Sequence, residues 1–300
     1  MLDADHLVIG ALSENLRIGE ALRRGANFLA ESQSASLDAR VLLKHALSID
    51  DAGLIARSNE VLPRDASANF ADYLQRRGQG EPVAYITGVK EFWSLEFHVA
   101  PGVLIPREDS ECLIEAIVAR RDKNQKLRIV DLGTGSGCLL CALLSEFPNA
   151  SGVGVDRSPI AVATAHANIE RLGLSARASV AAGDWFAPLE GAFDIIVANP
   201  PYIPDSDLPG LPRDVGAFEP HEALFAGADG LDAYRVILAD APSRLAPEGL
   251  LVMECGAGQA KSLLAMLAAT EPLSSLFTIK DIAGRSRGVG VDRRKAEKKD

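Results

Sequence analysis

The chain has 300 residues, 47% of them hydrophobic and 24% charged, with a formal net charge of −10. That length exceeds one typical domain and supplies ample apolar matter for a core, and no apolar run approaches the ~20 residues that a membrane helix needs. Residues 81–284 carry 15 basic against 27 acidic groups, which argues against broad phosphate-driven nucleic-acid binding.

The acidic start, Met1-Leu2-Asp3-Ala4-Asp5, lacks the basic region of a secretory signal, so a cytoplasmic protein is expected. Residues 1–80 read as an all-α bundle. Leu7, Ala11, Leu12, Leu16 and Ile18 recur at helical spacing up to Gly25. Ser36 is placed to cap a second helix carrying Ala39, Leu42, Leu43 and Leu47. Pro63 opens a third through Phe70, Tyr73 and Leu74, and Gly78 and Gly80 end it. Gly80-Glu81-Pro82 marks a boundary. Residues 81–108 read as a linker in which Phe92, Leu95, Phe97 and Val99 form a β-hairpin turning near Ser94.

A helix from about Asp109 to Arg121 opens the second domain, expected over 109–291. Strands and helices then alternate: strands at 127–131, 151–156, 178–183, 193–198 and 249–255, helices at 136–147, 158–172, 230–245 and 257–269. That alternation means βαβ units and a mostly parallel, doubly wound α/β sheet. Phe277–Asp281 and Gly288–Val291 read as an antiparallel pair at its edge, and a basic tail follows at 292–300. Cys138 and Cys141 form a C-x-x-C inside an apolar helix with no second pair, which favours small buried hydrophobes over a redox or zinc site. The five histidines show no ligand spacing, so no metal is expected.

The strand Ile129-Val130-Asp131 runs into Leu132-Gly133-Thr134-Gly135-Ser136-Gly137 and then a helix. Glycines there let a ligand approach the backbone. Their G-x-G-x-G spacing departs from the G-x-G-x-x-G of dinucleotide loops, which weakens an NAD-linked oxidoreductase. Asp131 would repel a pyrophosphate but tolerate an ammonium or sulfonium. Asp156, closing the next strand, can take two ribose hydroxyls. Asp184-Trp185, after the third, offers an acceptor and an aromatic face for an adenine.

Phe193–Ala198 is a buried strand broken by Asn199-Pro200-Pro201-Tyr202. Open α/β sheets bind ligands beyond such strand ends. The Asn199 oxygen and the Pro200 carbonyl can each accept one hydrogen of a substrate NH2 and aim its lone pair at an electrophile. Tyr202 and Phe92 are candidates to wall that site.

With these features the sequence resembles class I S-adenosylmethionine-dependent methyltransferases, and more narrowly the PrmC/HemK family of release-factor glutamine methyltransferases. Gly80–Gly88, Glu91-Phe92-Trp93, Leu104–Arg107, Asp131–Gly137, Asp184-Trp185, Asn199–Tyr202 and Phe218-Glu219-Pro220 carry the resemblance, across about 80–290. It implies a Rossmann-like, mostly parallel seven-stranded sheet with an antiparallel edge, and a small all-α N-terminal domain that recognises substrate. It also implies S-adenosyl-L-methionine as methyl donor, S-adenosyl-L-homocysteine as product, and class 1 peptide-chain release factors as partners of a monomeric enzyme. By position, Gly133, Thr134, Gly135, Ser136 and Gly137 would line the methionine half of the cofactor, and Asp156 would hold the ribose. Asp184 and Trp185 would flank the adenine, and Asn199, Pro200, Pro201 and Tyr202 would hold the glutamine, with Asn199 also near the cofactor. The same Asn-Pro-Pro-Tyr would serve an adenine-N6 methyltransferase of DNA or RNA, or a ribosomal-protein glutamine methyltransferase. A non-catalytic nucleoside-binding protein would leave Asn199 without a task.

Overall fold

The computed structural model describes residues 15–270 and 275–293. The chain divides into two compact units, one from Met1–Gly88 with Pro212–Phe218, the other from Val89–Leu211 with Glu219–Asp300.

The smaller unit is helical: Ile18–Phe28, Ala35–Leu47, Asp51–Ala56, Arg64–Gly78 and Val83–Thr87, with the short Arg213–Gly216. Ile18, Leu42, Leu43 and Phe70 are fully buried in its core. Most of the helix expected from Leu7 lies outside the described residues. Ser34 rather than Ser36 precedes the second helix. Asp38 in the first turn gathers Ser32 Oγ (3.0 Å), Ser34 Oγ (2.8 Å) and the Arg77 guanidinium (2.7 Å) around the start of that helix. Asp50 caps a helix the sequence reading passed over, accepting from Gly53 N at 2.8 Å. The unit runs past the expected boundary at Gly80, because Ile86 is buried among its helices and Gly88 ends the last of them at φ 74°.

The larger unit starts with the expected hairpin, β1 (Val89–Phe92) and β2 (Leu95–His98), whose turn residues Trp93 and Ser94 have φ of 53° and 57°. The sheet strands are β3 (Arg128–Leu132), β4 (Ser151–Asp156), β5 (Ala178–Ala182), β6 (Phe193–Ala198), β7 (Leu245–Glu254), β8 (Leu276–Lys280) and β9 (Ser286–Asp292). They form one seven-stranded sheet in the order β5-β4-β3-β6-β7-β9-β8. Pairing is parallel from β5 through β7 and antiparallel for β7-β9 and β9-β8.

Both faces of the sheet are covered, and the strand sequences show why. Ile129, Ile195, Val197, Leu250 and Val252 pack against helices Glu111–Val118 and Cys138–Glu146. Val130, Ile196, Leu251 and Met253 point the opposite way, against Asp232–Arg244 and Ala260–Ala269. The chain leaves β3 toward β4 on one side and returns to β6 on the other. The strand order therefore reverses between β3 and β6, and a crevice opens beyond their carboxyl ends.

Candidate active site

A cavity of about 360 Å³ occupies that crevice, within the usual range for small-molecule sites. Gly133, Thr134, Gly135, Ser136, Asp156, Asp184, Trp185, Asn199 and Pro201 all line it. Residues singled out at four different strand ends thus meet around one space.

The glycine loop is held by its own backbone. Gly133 N and Thr134 N donate to the Val155 carbonyl at 2.8 and 2.9 Å, and Asp156 accepts from Gly135 N at 2.9 Å and Ser158 N at 2.9 Å. Gly135 sits at φ 55°, and a Cβ there would meet open space, so the loop presents bare backbone to a ligand. Gly137 does not line the cavity. It starts the helix Cys138–Glu146 at φ 82°, and a Cβ would stand 3.3 Å from that of Ala165. Beneath the loop, Asp131 is fully buried and accepts from Thr134 Oγ at 2.7 Å. Burial pushes its carboxyl up to about 7, against the lowering effect of Thr134. Asn168, also fully buried, donates to the carbonyls of Ser136 (2.9 Å) and His98 (3.0 Å) and accepts from His98 N (2.8 Å), tying the loop to β2.

Trp185 has a φ of 47° and lies against Gly133, its ring 3.7 Å from where a Cβ would be. Ser136 Oγ is buried without a hydrogen-bond partner. An orphaned hydroxyl, an open glycine backbone, a carboxylate at the second strand end and an aromatic plane form a donor set that fits S-adenosylmethionine.

Asn199 closes β6. Its Nδ2 donates to Ser110 Oγ at 3.3 Å, while its Oδ1 accepts from no described residue. Pro200 is buried and Pro201 faces the cavity. Tyr202 turns its hydroxyl inward to Glu254 at 3.5 Å, and Gln259 Nε2 holds the Tyr202 carbonyl at 2.9 Å. Phe92 is elsewhere. It is 1% exposed and packs edge-to-face on Phe97 with ring centroids 6.4 Å apart, because both fall on the buried face of the hairpin. It belongs to the core and does not wall the cavity.

The sequence reading gave no role to two buried carboxylates. Glu254, which ends β7, is 1% exposed and accepts from Ser110 Oγ at 2.5 Å. Burial pushes its carboxyl up to about 7, opposed by Ser110 and by Arg287. Glu219 is 4% exposed and accepts from Ile105 N at 3.2 Å and from the Arg107 guanidinium, fixing the cavity wall at Arg107. Glu254 had a signal: like Asp131, Asp156 and Asn199, it closes an apolar strand run. The four cysteines are free thiols, and burial pushes that of Cys141 up. Among the described residues, no acidic, histidine or cysteine cluster could hold a metal, and no helix is long and apolar enough to cross a membrane.

The chain is similar to known proteins along most of its length. Residues 20–88 match the PrmC N-terminal domain and 98–208 the methyltransferase small domain. Release factor glutamine methyltransferase of Bradyrhizobium diazoefficiens is 43% identical over 265 residues, covering 87% of this chain and 89% of its own. The proteins of that name from Moorella thermoacetica and Rhodospirillum rubrum are each 43% identical, over 90% and 94% of this chain and 95% and 86% of theirs. Among solved structures, the T. thermophilus 16S rRNA N2 G1207 methyltransferase in complex with AdoMet and guanosine matches with a TM-score of 0.50. It is 23% identical over 69% of this chain and 50% of its own, a likeness of fold.

Proposed function

The chain belongs to the family of release factor glutamine methyltransferases, and from that membership we propose that it methylates the side-chain nitrogen of the glutamine in the Gly-Gly-Gln loop of class 1 peptide-chain release factors. S-adenosylmethionine is the methyl donor in this reading. The observation that carries it is Asn199, whose amide nitrogen is tied to Ser110 while its oxygen stays free beside the glycine-loop cavity.

When bound, S-adenosylmethionine supplies an electrophilic methyl group on a positively charged sulfur. The chain supplies the rest. Gly133, Thr134, Gly135 and Ser136 present backbone and a spare hydroxyl to the methionine half, Asp156 the carboxylate for ribose, and Asp184 and Trp185 the adenine wall. Asn199 Oδ1 and the Pro200 carbonyl each accept one N–H of the substrate amide. A carboxamide nitrogen is a poor nucleophile because its lone pair is delocalised, so two acceptors must hold it in line and favour a tetrahedral nitrogen as the bond forms. Positioning of that kind is worth up to ~7–11 kcal/mol. The mostly apolar cavity limits water around the reacting atoms. No strong general base is required, because the amide becomes acidic only once the new bond exists.

We assign recognition of the release factor to the helical unit. A photo-crosslinker at exposed Ile55 should capture the factor, and capture confined to probes on the larger unit would remove that role. Transfer of labelled methyl to a purified release factor, alongside its Gln-to-Ala loop variant, tests the reaction. Label on the natural factor alone is expected. No label on either, with cofactor binding intact, would redirect the search to ribosomal proteins or nucleic-acid bases.

A further inference from the structure

Below the Asn-Pro-Pro-Tyr turn lies a chain of buried polar groups that the transfer step itself does not use. Ser110 is 2% exposed and Glu254 1%; Ser110 touches the cavity beside Asn199, and Glu254, which does not line it, stands behind Ser110. A serine hydroxyl has one proton to give. Ser110 spends it on Glu254 Oε2, at 2.5 Å, because a buried carboxylate is the strongest acceptor within reach. The Ser110 oxygen can then only accept, and what faces it at 3.3 Å must be the Asn199 NH2. The amide is thereby prevented from turning over, and Oδ1 is left on the other side. Tyr202, the fourth residue of the turn, reaches the second oxygen of the same carboxylate at 3.5 Å.

We propose that Glu254 and Ser110 are positioning residues that set the direction of the Asn199 amide, so that its oxygen rather than its nitrogen meets the substrate NH2. This rests on the glutamine-methylating reading above. A flipped Asn199 would offer two N–H donors to a substrate nitrogen that also carries only donors, and binding there would be repulsive. Packing could hold the Asn199 side chain in place without Glu254, yet packing cannot tell an amide oxygen from an amide nitrogen. Only a fixed chain of donors and acceptors can, and here it starts at a carboxylate, which cannot donate when ionised.

Glu254→Gln tests this with almost no change in shape. A glutamine can donate to Ser110, which frees the Ser110 proton to point at Asn199 and stabilises the flipped amide. Ser110→Ala cuts the chain in the middle and leaves the carboxylate in place. Methyl transfer to a release factor would be measured at pH 8, with Glu254 ionised, for the natural chain, each single variant and the double variant. S-adenosylhomocysteine affinity would be measured in parallel. Each single variant is expected to lose about tenfold or more in kcat, short of the ~10²–10³ that removing a preorganised polar group outright costs, with cofactor affinity unchanged. The double variant should lose no more than the worse single one, since both act through one amide.

Glu254→Gln with the natural kcat would overturn the inference, as would single losses that multiply in the double variant, or a parallel loss of cofactor affinity. Should Glu254→Gln fail to fold, Ser110→Ala decides alone: lowered kcat with intact cofactor binding supports the inference, and natural kcat removes it. Transfer by the natural chain in the same series is the separate check on the underlying reaction. If it transfers and Glu254→Gln matches it, the positioning role alone falls.

Discussion

Gly154 in β4 lies directly against Thr134 of the glycine loop: a Cβ at 154 would stand 2.7 Å from the Thr134 hydroxyl and 2.9 Å from its Cβ and Cγ2. Only a bare backbone fits there. The Thr134 side chain cannot turn aside on its own, because its hydroxyl is committed to Asp131 and its amide to Val155. Gly154→Ala should therefore shift the loop rather than the strand. Overpacking of this kind costs about 1–3 kcal/mol, and affinity for S-adenosylhomocysteine should fall with it. Calorimetric titration beside urea unfolding checks both, and an unchanged dissociation constant would show that the loop adapts.

Arg107 and Glu219 form the other tight joint. The Glu219 side chain is 1% exposed and that of Arg107 35%, so the two ends are not equivalent. Arg107→Ala leaves a buried carboxylate with Ile105 N as its remaining partner, whereas Glu219→Ala leaves a guanidinium that water can reach. The buried end carries the larger penalty, and an unpaired buried group costs about 1–3 kcal/mol or more when charged. Urea midpoints should rank Arg107→Ala below Arg107→Lys. Equal midpoints would mean that solvent already neutralises Glu219.

What the sequence made legible has a common form. Asp156 and Asn199 are polar residues that close apolar strand runs, Asp184-Trp185 follows another, and a parallel sheet gathers all such ends at one edge. That regularity is local, so it can be read along the chain. The joints behind the site are not local. Ser110 and Glu254 are 144 residues apart, and Glu219 lies 114 from Ile105. No spacing rule links such partners, and only the fold brings them together. Phe92 was misassigned for a related reason: an aromatic residue in a short hairpin carries no mark of which face it takes, and the register puts it beside Phe97 in the core. Ser36 does not cap because the helix already begins at Ala35, which places Ser36 inside its first turn.

Two buried carboxyls set a pH dependence of stability. Asp131 rises from 3.8 to about 7 and Glu254 from 4.5 to about 7, burial being the first cause in each. Asp156 adds to the rise at Asp131, and Asp109 adds to it at Glu254 while Arg287 opposes. A raised folded-state value means the folded chain binds the proton more tightly than the unfolded one. The stability these groups contribute is fully present below pH ~4 and is lost as pH rises through about 7. Between pH 6 and 8 the melting temperature should therefore fall with rising pH. Asp131→Asn, which cannot ionise, should flatten that slope. A slope identical in the variant would assign the dependence to other groups.

Asn199→Ala separates chemistry from cofactor binding. The residue lines the cavity, but its one hydrogen bond goes to Ser110, and the loop that would hold the cofactor is built by Val155, Asp156 and Asn168. Removing the amide leaves that scaffold intact and takes away one of two acceptors for the substrate nitrogen. The loss should fall on kcat, by about 10²–10³ as for other preorganised polar groups, with the S-adenosylhomocysteine dissociation constant within about threefold of the natural value. Asn199→Asp is the sharper probe. A carboxylate keeps an acceptor toward the substrate but faces the Ser110 oxygen and Glu254 with a second negative charge, so part of the rate should return only if Ser110 turns its proton toward it. Single-turnover transfer rates for the three chains, set against cofactor titrations, decide the matter. A parallel loss of rate and cofactor affinity in Asn199→Ala would place the residue in cofactor binding instead.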